Sequence, residues 1–166
     1  MSARCFTWME SPTGRLLVVA DDEGLREIWF AEGRTVPVVD PQWKSGGACL
    51  RETIRQVKAF FAGELQVFDL SLKPEGTAFQ LSVWSALCEI PFGETISYGE
   101  LARRIGNPAA SRAVGLANGS NPIPIIIPCH RVIGSNGKLT GYGGGLEKKR
   151  WLLDFEHSQQ RLSFTS

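Results

Sequence analysis

Cys129, His130 and Arg131 stand together in the run Ile125-Ile126-Ile127-Pro128-Cys129-His130-Arg131-Val132-Ile133. A thiol becomes a nucleophile once it is a thiolate. A free Cys, with a pKa of roughly 8.5, needs a neighbouring base or positive charge to reach that state near neutral pH. His130 is the adjacent base. Consecutive residues of an extended chain point to opposite faces, so Cys129 and His130 would meet only through a turn at Pro128 or across a water. The apolar flanks predict a buried strand over residues 125–133. A buried Cys is ordinary, because a thiol behaves as a small hydrophobe. His and Arg in the same apolar run require polar partners. These residues alone leave two readings open, a reactive thiol or a core Cys beside a satisfied His.

The elements around the run are those that must position it. Thr77 can N-cap a helix bearing Phe79, Val83, Trp84 and Leu87, which Ile90-Pro91-Phe92-Gly93 stops. Tyr98, Leu101, Ala102 and Ile105 follow Ser97 at helical spacing, ending at Gly106. Asn107-Pro108 opens another helix, with Asn107 as the cap and Pro108 in the first position. Two short helices joined by a turn containing Gly are a helix-turn-helix candidate. In the second, Ala109, Ala110, Ser111, Ala113, Gly115, Ala117 and Gly119 leave Arg112 as the only long charged side chain. A helix so small-sided packs closely on a neighbouring helix or a nucleic-acid groove. Asn118–Pro122 is a turn-rich link to the reactive run. Gly134-Ser135-Asn136-Gly137 reads as a tight turn. The glycine-rich Gly141–Gly145 fits neither phosphate-loop spacing, so no nucleotide cofactor is expected. Leu146–Glu156 is the last predicted helix, with Trp151, Leu152 and Phe155 as its apolar face, and the tail beyond His157 carries no signal.

Toward the N-terminus, runs at 4–9, 15–20 and 25–30 are separated by Ser11–Gly14 and Asp21–Gly24, which predicts an antiparallel meander. Residues 33–47 read as a loop. Leu50, Ile54, Val57, Phe60 and Phe61 mark a helix ending at Gly63, and a short strand is expected near Gln66–Leu70. The fold class is therefore α/β in the α+β sense. An N-terminal support domain spans 1–72, Lys73–Gly76 is a linker, and a mainly helical domain spans 77–157.

Composition narrows the function. With 43% hydrophobic and 21% charged residues, the chain is of the ordinary globular kind. It has no apolar run of the roughly 20 residues a bilayer requires, and Met1–Phe6 lacks a secretory core, so no membrane partner and a cytoplasmic location are expected. Cys5, Cys49, Cys88 and Cys129 show no C-x-x-C spacing and read as thiols in a reducing compartment. With only His130 and His157 as histidines, no metal site is expected. Residues 98–166 hold nine Lys/Arg against four Asp/Glu and residues 1–97 nine against thirteen, within a whole-chain charge of +1. A basic C-terminal half suits a polyanion.

Pro128-Cys129-His130-Arg131-Val132, preceded by Asn121-Pro122, resembles the active-site signature of the O6-alkylguanine-DNA alkyltransferases, and the likeness runs from about Gly76 to Glu156. The resemblance implies direct-reversal DNA repair, with one irreversible transfer of an alkyl group from O6-alkylguanine in double-stranded DNA to Cys129 and no cofactor. It implies that Glu156 orients His130, that His130 acts on Cys129 through a water, and that Tyr98 assists base flipping and donates a proton. Arg112 would enter the base stack from the minor groove, with Asn107, Tyr98 and Ser135 as further DNA contacts. Asn121 would be a hinge between recognition helix and active site. Pro124, Tyr142 and the Gly143 backbone N–H would shape the pocket, and the carbonyls of Cys129 and Val132 would accept from the guanine amine. Where some relatives carry Ser, this chain has Gly143. Some relatives also hold a structural zinc near the N-terminus; Cys5 stands almost alone here, and none is expected. A monomer is expected, with cooperative assembly on DNA left open. The rival readings are a non-catalytic lesion-binding or helix-turn-helix protein and a Cys-His hydrolase using Cys129, His130 and Asn121.

Overall fold

A computed structural model describes residues 3–33 and 37–165. Residues 34–36 of the expected loop, and Met1 and Ser2, lie outside the described residues. The chain divides into two compact units, Met1–Glu75 and Gly76–Ser166.

The first unit is a sheet with one helix. Strands β1 (Cys5–Met9), β2 (Leu16–Asp21) and β3 (Gly24–Phe30) form the expected antiparallel meander, with Cys5 opposite Ala20 and Leu16 opposite Phe30. The turn between β2 and β3 is held by Asp21, whose Oδ1 accepts from the N–H groups of Glu23 and Gly24. A two-residue strand β4 (Lys44–Ser45), inside the expected loop, pairs parallel with β1 and completes the order β3-β2-β1-β4. Every residue of β2 is buried, as suits a central strand. Helix α1 (Ala48–Phe61) buries Leu50, Thr53, Gln56, Val57 and Phe60, the three-to-four spacing of one helical face. The expected strand at 66–70 does not form. The buried Gln56 amide takes the place of a neighbouring strand there, donating to Asp69 O at 2.9 Å and accepting from Asp69 N at 2.9 Å. Sheet contact comes later, where Leu72 bridges Leu25.

The second unit is mainly helical. Helix α2 (Ala78–Leu87) begins with a capping box, in which Thr77 Oγ1 accepts from Gln80 N and Gln80 Oε1 accepts from Thr77 N. Strand β5 (Ile96–Ser97) leads into α3 (Tyr98–Arg104), capped by Ser97. The chain turns at Gly106, φ +78°, a conformation that favours glycine. Asn107 makes no side-chain cap, and Pro108–Ala110 form a 3₁₀ turn before α4 (Ser111–Gly119). The second helix therefore starts three residues later than expected. Trp84 Nε1 donates to Ala117 O at 2.8 Å and locks α2 to α4 across the small side chains of α4.

The expected strand over 125–133 is largely replaced by turns. Pro122, Pro124 and Pro128 have no N–H for a ladder, and the isoleucines fold back, with Ile127 N donating to Ile123 O at 2.9 Å. Ile125 has φ +76°, strained for a β-branched residue and held by burial at 1% exposure. Cys129–Arg131 form a 3₁₀ turn, and only β6 (Val132–Ile133) is extended, parallel to β5. Helix α5 (Leu146–Thr165) continues well past Glu156. Its buried stripe is Lys149, Leu152, Leu153 and Glu156, one period of 3.6 residues. Trp151 and Phe155 stack on each other at 5.1 Å, half-buried beside that stripe. The expected apolar face is thus rotated, because two of its true members are charged.

Replacing Thr77 with Ala removes the capping box and should lower stability by about 1 kcal/mol in urea unfolding; an unchanged midpoint would show that α2 is set by packing alone.

Candidate active site

Asn121 shapes the loop that carries the thiol. Its Oδ1 accepts from Ile123 N at 3.0 Å and its Nδ2 donates to Ile127 O at 2.8 Å, closing the proline-rich turn from inside. Asn118, at the C-terminal end of α4, donates from Nδ2 to Cys129 O at 3.3 Å. That carbonyl also accepts from the Val132 N–H. A guanine amine directed at this carbonyl would be its third donor, and the Val132 carbonyl is the other acceptor that the resemblance implies. Cys129 itself is 4% exposed. Burial pushes its thiol up to about 11, against the Asn121 side-chain hydrogen bond and the Lys149 charge.

Glu156 gathers the rest. Its carboxylate accepts from His130 Nε2 at 2.7 Å, from Arg131 Nε and Nη2 at 2.9 Å each, and from the Gly93 N–H at 3.1 Å. Arg131 also donates from its third nitrogen, Nη1, to Ile90 O at 2.6 Å. The partners that a buried His and Arg require are therefore one and the same residue. Burial by itself would raise the Glu156 carboxyl, but the His130 and Arg131 hydrogen bonds and charges win and hold it at about 2. It is ionised, so the imidazole hydrogen sits on Nε2 and the lone pair on Nδ1. Nδ1 is buried, with no hydrogen-bond partner among the described residues. Burial lowers the His130 pKa, although Glu156 pulls it up. A neutral imidazole with a free basic nitrogen thus lies one residue from a neutral thiol.

Lys149 was not found from the sequence. It is fully buried on α5 with no carboxylate partner among the described residues, and its Nζ donates to Thr140 O at 2.8 Å. Burial lowers it to about 8, and the Cys129 charge works the other way. The same Thr140 carbonyl accepts from the Tyr98 hydroxyl at 3.2 Å, and Thr140 Oγ1 donates back to Tyr98 at 3.0 Å. Tyr98, at the start of α3, is thereby tied to the loop before the glycine-rich segment. The signal for Lys149 was its place four residues before Leu153 and seven before Glu156, on the face that the apolar pattern marks only faintly.

Arg112 is exposed and makes no salt bridge among the described residues. It projects from α4 on the face that carries Gly115, the exposed Leu116 and Gly119. With Tyr98, Ser111, Thr140 and Gly141, this face borders a depression of about 510 Å³. Asn107 and Ser135 are exposed, Pro124 is half-buried, and Val132 and Tyr142 are buried. Gly143 is exposed and has space around it, since an added Cβ would meet nothing within 4 Å. No helix among the described residues is long and apolar enough to cross a membrane.

Fold and site together define a two-part mixed α/β protein whose thiol is backed by a carboxylate-held imidazole. Residues 78–158 match the family described as 6-O-methylguanine DNA methyltransferase, DNA binding domain, and residues 5–74 match its ribonuclease-like domain. A methylated-DNA–protein-cysteine methyltransferase of Methanosarcina acetivorans is 58% identical over 149 residues, covering 90% of this chain and 96% of that protein. One from Haemophilus influenzae is 50% identical, covering 94% of this chain and 88% of that protein. The crystal structure of Mycobacterium tuberculosis OGT in complex with DNA superposes with a TM-score of 0.86 at 48% identity, covering 93% of this chain and 94% of that one. The chain belongs to the 6-O-methylguanine DNA methyltransferase family.

The Glu156 carboxyl sits below its ordinary value of 4.5, so the stability it supplies is complete above that pH and drains away as pH falls toward about 2. Thermal melts between about pH 5 and pH 3 should show a steeper decline for the native chain than for Glu156→Gln. The substitution itself should cost roughly 3–5 kcal/mol at neutral pH, because it strands Arg131. Parallel pH profiles for the two proteins would refute this account.

Proposed function

We propose that this chain repairs alkylated DNA by direct reversal, with Cys129 taking the alkyl group from O6-alkylguanine in double-stranded DNA. The observation that carries the reading is the state of His130: ionised Glu156 holds its Nε2–H, so the basic lone pair is on Nδ1, on the same turn as the thiol. In the resting site both groups are neutral. The thiol proton passes to His130 through a bridging water, and the sulfur attacks the alkyl carbon in line. A sulfur–carbon bond forms as the carbon–O6 bond breaks, and its electron pair leaves with the purine. Tyr98 donates a proton toward the ring as that charge accumulates, and overall the thiol proton ends on guanine. Lys149 lies where a cation favours negative charge on sulfur. The product is a thioether with no carbonyl for water to attack, so each chain acts once.

DNA reaches the site through α3 and α4, acting as a helix-turn-helix in the minor groove. Arg112 fills the place of the extruded guanine, since an enzyme acting on a paired base must take it from the stack. Its exposure and its lack of an ionic partner among the described residues support this role. Asn107 and Ser135 touch the backbone, which supplies affinity rather than sequence preference. Pro124, Tyr142, the Val132 carbonyl and the Gly143 N–H enclose the flipped base, and Asn121 couples α4 to the thiol turn. Residues 77–157 carry this chemistry and residues 1–72 support them. The chain works as a monomer, in a cytoplasm whose reducing poise keeps Cys129 a thiol.

Mixing the protein with an O6-methylguanine oligonucleotide should add one methyl group per chain by intact mass, located on Cys129. Cys129→Ala should show none while still binding DNA; retained transfer in that variant, or several lesions repaired per chain, would overturn the proposal. Arg112→Ala should slow repair roughly tenfold or more while changing affinity for undamaged duplex by less than about threefold, because it is asked to fill a vacancy rather than to dock. Equal losses in both measurements would make Arg112 a backbone contact.

A further inference from the structure

Two of the four cysteines, Cys5 and Cys49, belong to the first unit, whereas Cys129 belongs to the second. Cys5 opens β1, and Cys49 is the second residue of α1. Between them Gly47 joins β4 to the helix with φ +123°. A Cβ placed on Gly47 would lie 3.4 Å from Cys5 Sγ and 3.9 Å from Cys49 Sγ, so both sulfurs flank one point. The backbone holds this arrangement, with Lys44 N donating to Arg4 O at 2.9 Å and Gly46 N to Phe6 O at 2.7 Å. Both thiols are half-buried, whereas Cys88 is exposed and Cys129 buried.

We propose that Cys5 and Cys49 are a dithiol modification site, which a small-molecule disulfide converts to a Cys5–Cys49 bridge stapling β1 to the start of α1. Cys5 is the attacking sulfur. Its thiolate cleaves the reagent's S–S bond, forming a mixed disulfide and releasing one equivalent of reagent thiol. Cys49 then gives up its proton and attacks the Cys5 sulfur, releasing the second. Two protein S–H groups are lost, one S–S bond is made, and the reagent is reduced to two thiols. Cys49 follows second because burial pushes its thiol up to about 11 and so disfavours its thiolate. Such a bridge encloses β2, β3 and β4, and closing a long loop restrains the unfolded chain most.

The test is incubation of the full chain with oxidised glutathione, acid quenching and non-reducing peptide mapping. A linked Cys5–Cys49 peptide is expected as the main product. Cys49→Ser should instead trap glutathione on Cys5, and the oxidised native chain should melt about 5 °C or more above the reduced one. Cys5 and Cys49 left free, or each carrying its own glutathione, would overturn the site. A linked pair with an unchanged melting point would overturn the staple. If Cys49→Ser does not fold, the mapping of the native chain decides alone.

Discussion

A carboxylate sealed from water has to be surrounded by donors, and in this protein that requirement organises the second unit. Glu156 is 1% exposed and accepts from His130, from Arg131 twice and from the Gly93 backbone. A buried ion pair gains little net stability over a well-packed apolar contact, because desolvation offsets most of the attraction. Its value is geometric. The bidentate guanidinium and the short imidazole bond fix α5 against the Cys129–Arg131 turn in one register. They also decide which nitrogen of His130 is basic, which is the feature the proposed chemistry uses.

The same helix contributes a second costly group. Lys149 lies one turn from Leu153 and two from Glu156 on the inward stripe, without a carboxylate of its own among the described residues. Its bond to Thr140 O and its position near Cys129 set a positive charge against a thiol that burial otherwise keeps protonated. Thr140 in turn joins Tyr98 to the loop that leads into Gly141–Gly145. One face of α5 thus reaches the imidazole through Glu156 and the proposed proton donor through Lys149. The opposite wall comes from α4, where Asn118 holds the Cys129 carbonyl while Arg112 projects outward two turns earlier.

Much of this plan is legible in the chain. The turn residues between β1, β2 and β3 and the Thr77 cap locate their elements because those signals are local. The resemblance carried by Pro128–Val132 and Asn121 points to His130 and Glu156, which the structure joins at 2.7 Å, and to Asn121, which braces the turn before Cys129. Other elements were hidden. The strand expected at 66–70 loses its pairing to the Gln56 side chain, a contact between distant positions. The strand expected over 125–133 fails because Pro128 removes a ladder donor within it and Asn121 satisfies the backbone from inside the turn. Lys149 escaped notice because charged residues on a helix are ordinarily read as solvated.

By itself the sequence determined the meander of β1 to β3, helix α1 and the Thr77-capped α2, and it marked Cys129 and His130 as candidates for chemistry, since capping, periodicity and motif spacing act over a few residues. Only the tertiary structure decided that His130 and Arg131 share Glu156, that Lys149 is buried on the inward stripe of α5, and that Cys5 and Cys49 both lie against Gly47. Those pairings depend on which charges lose their water together, and desolvation is a property of the packed chain rather than of any segment.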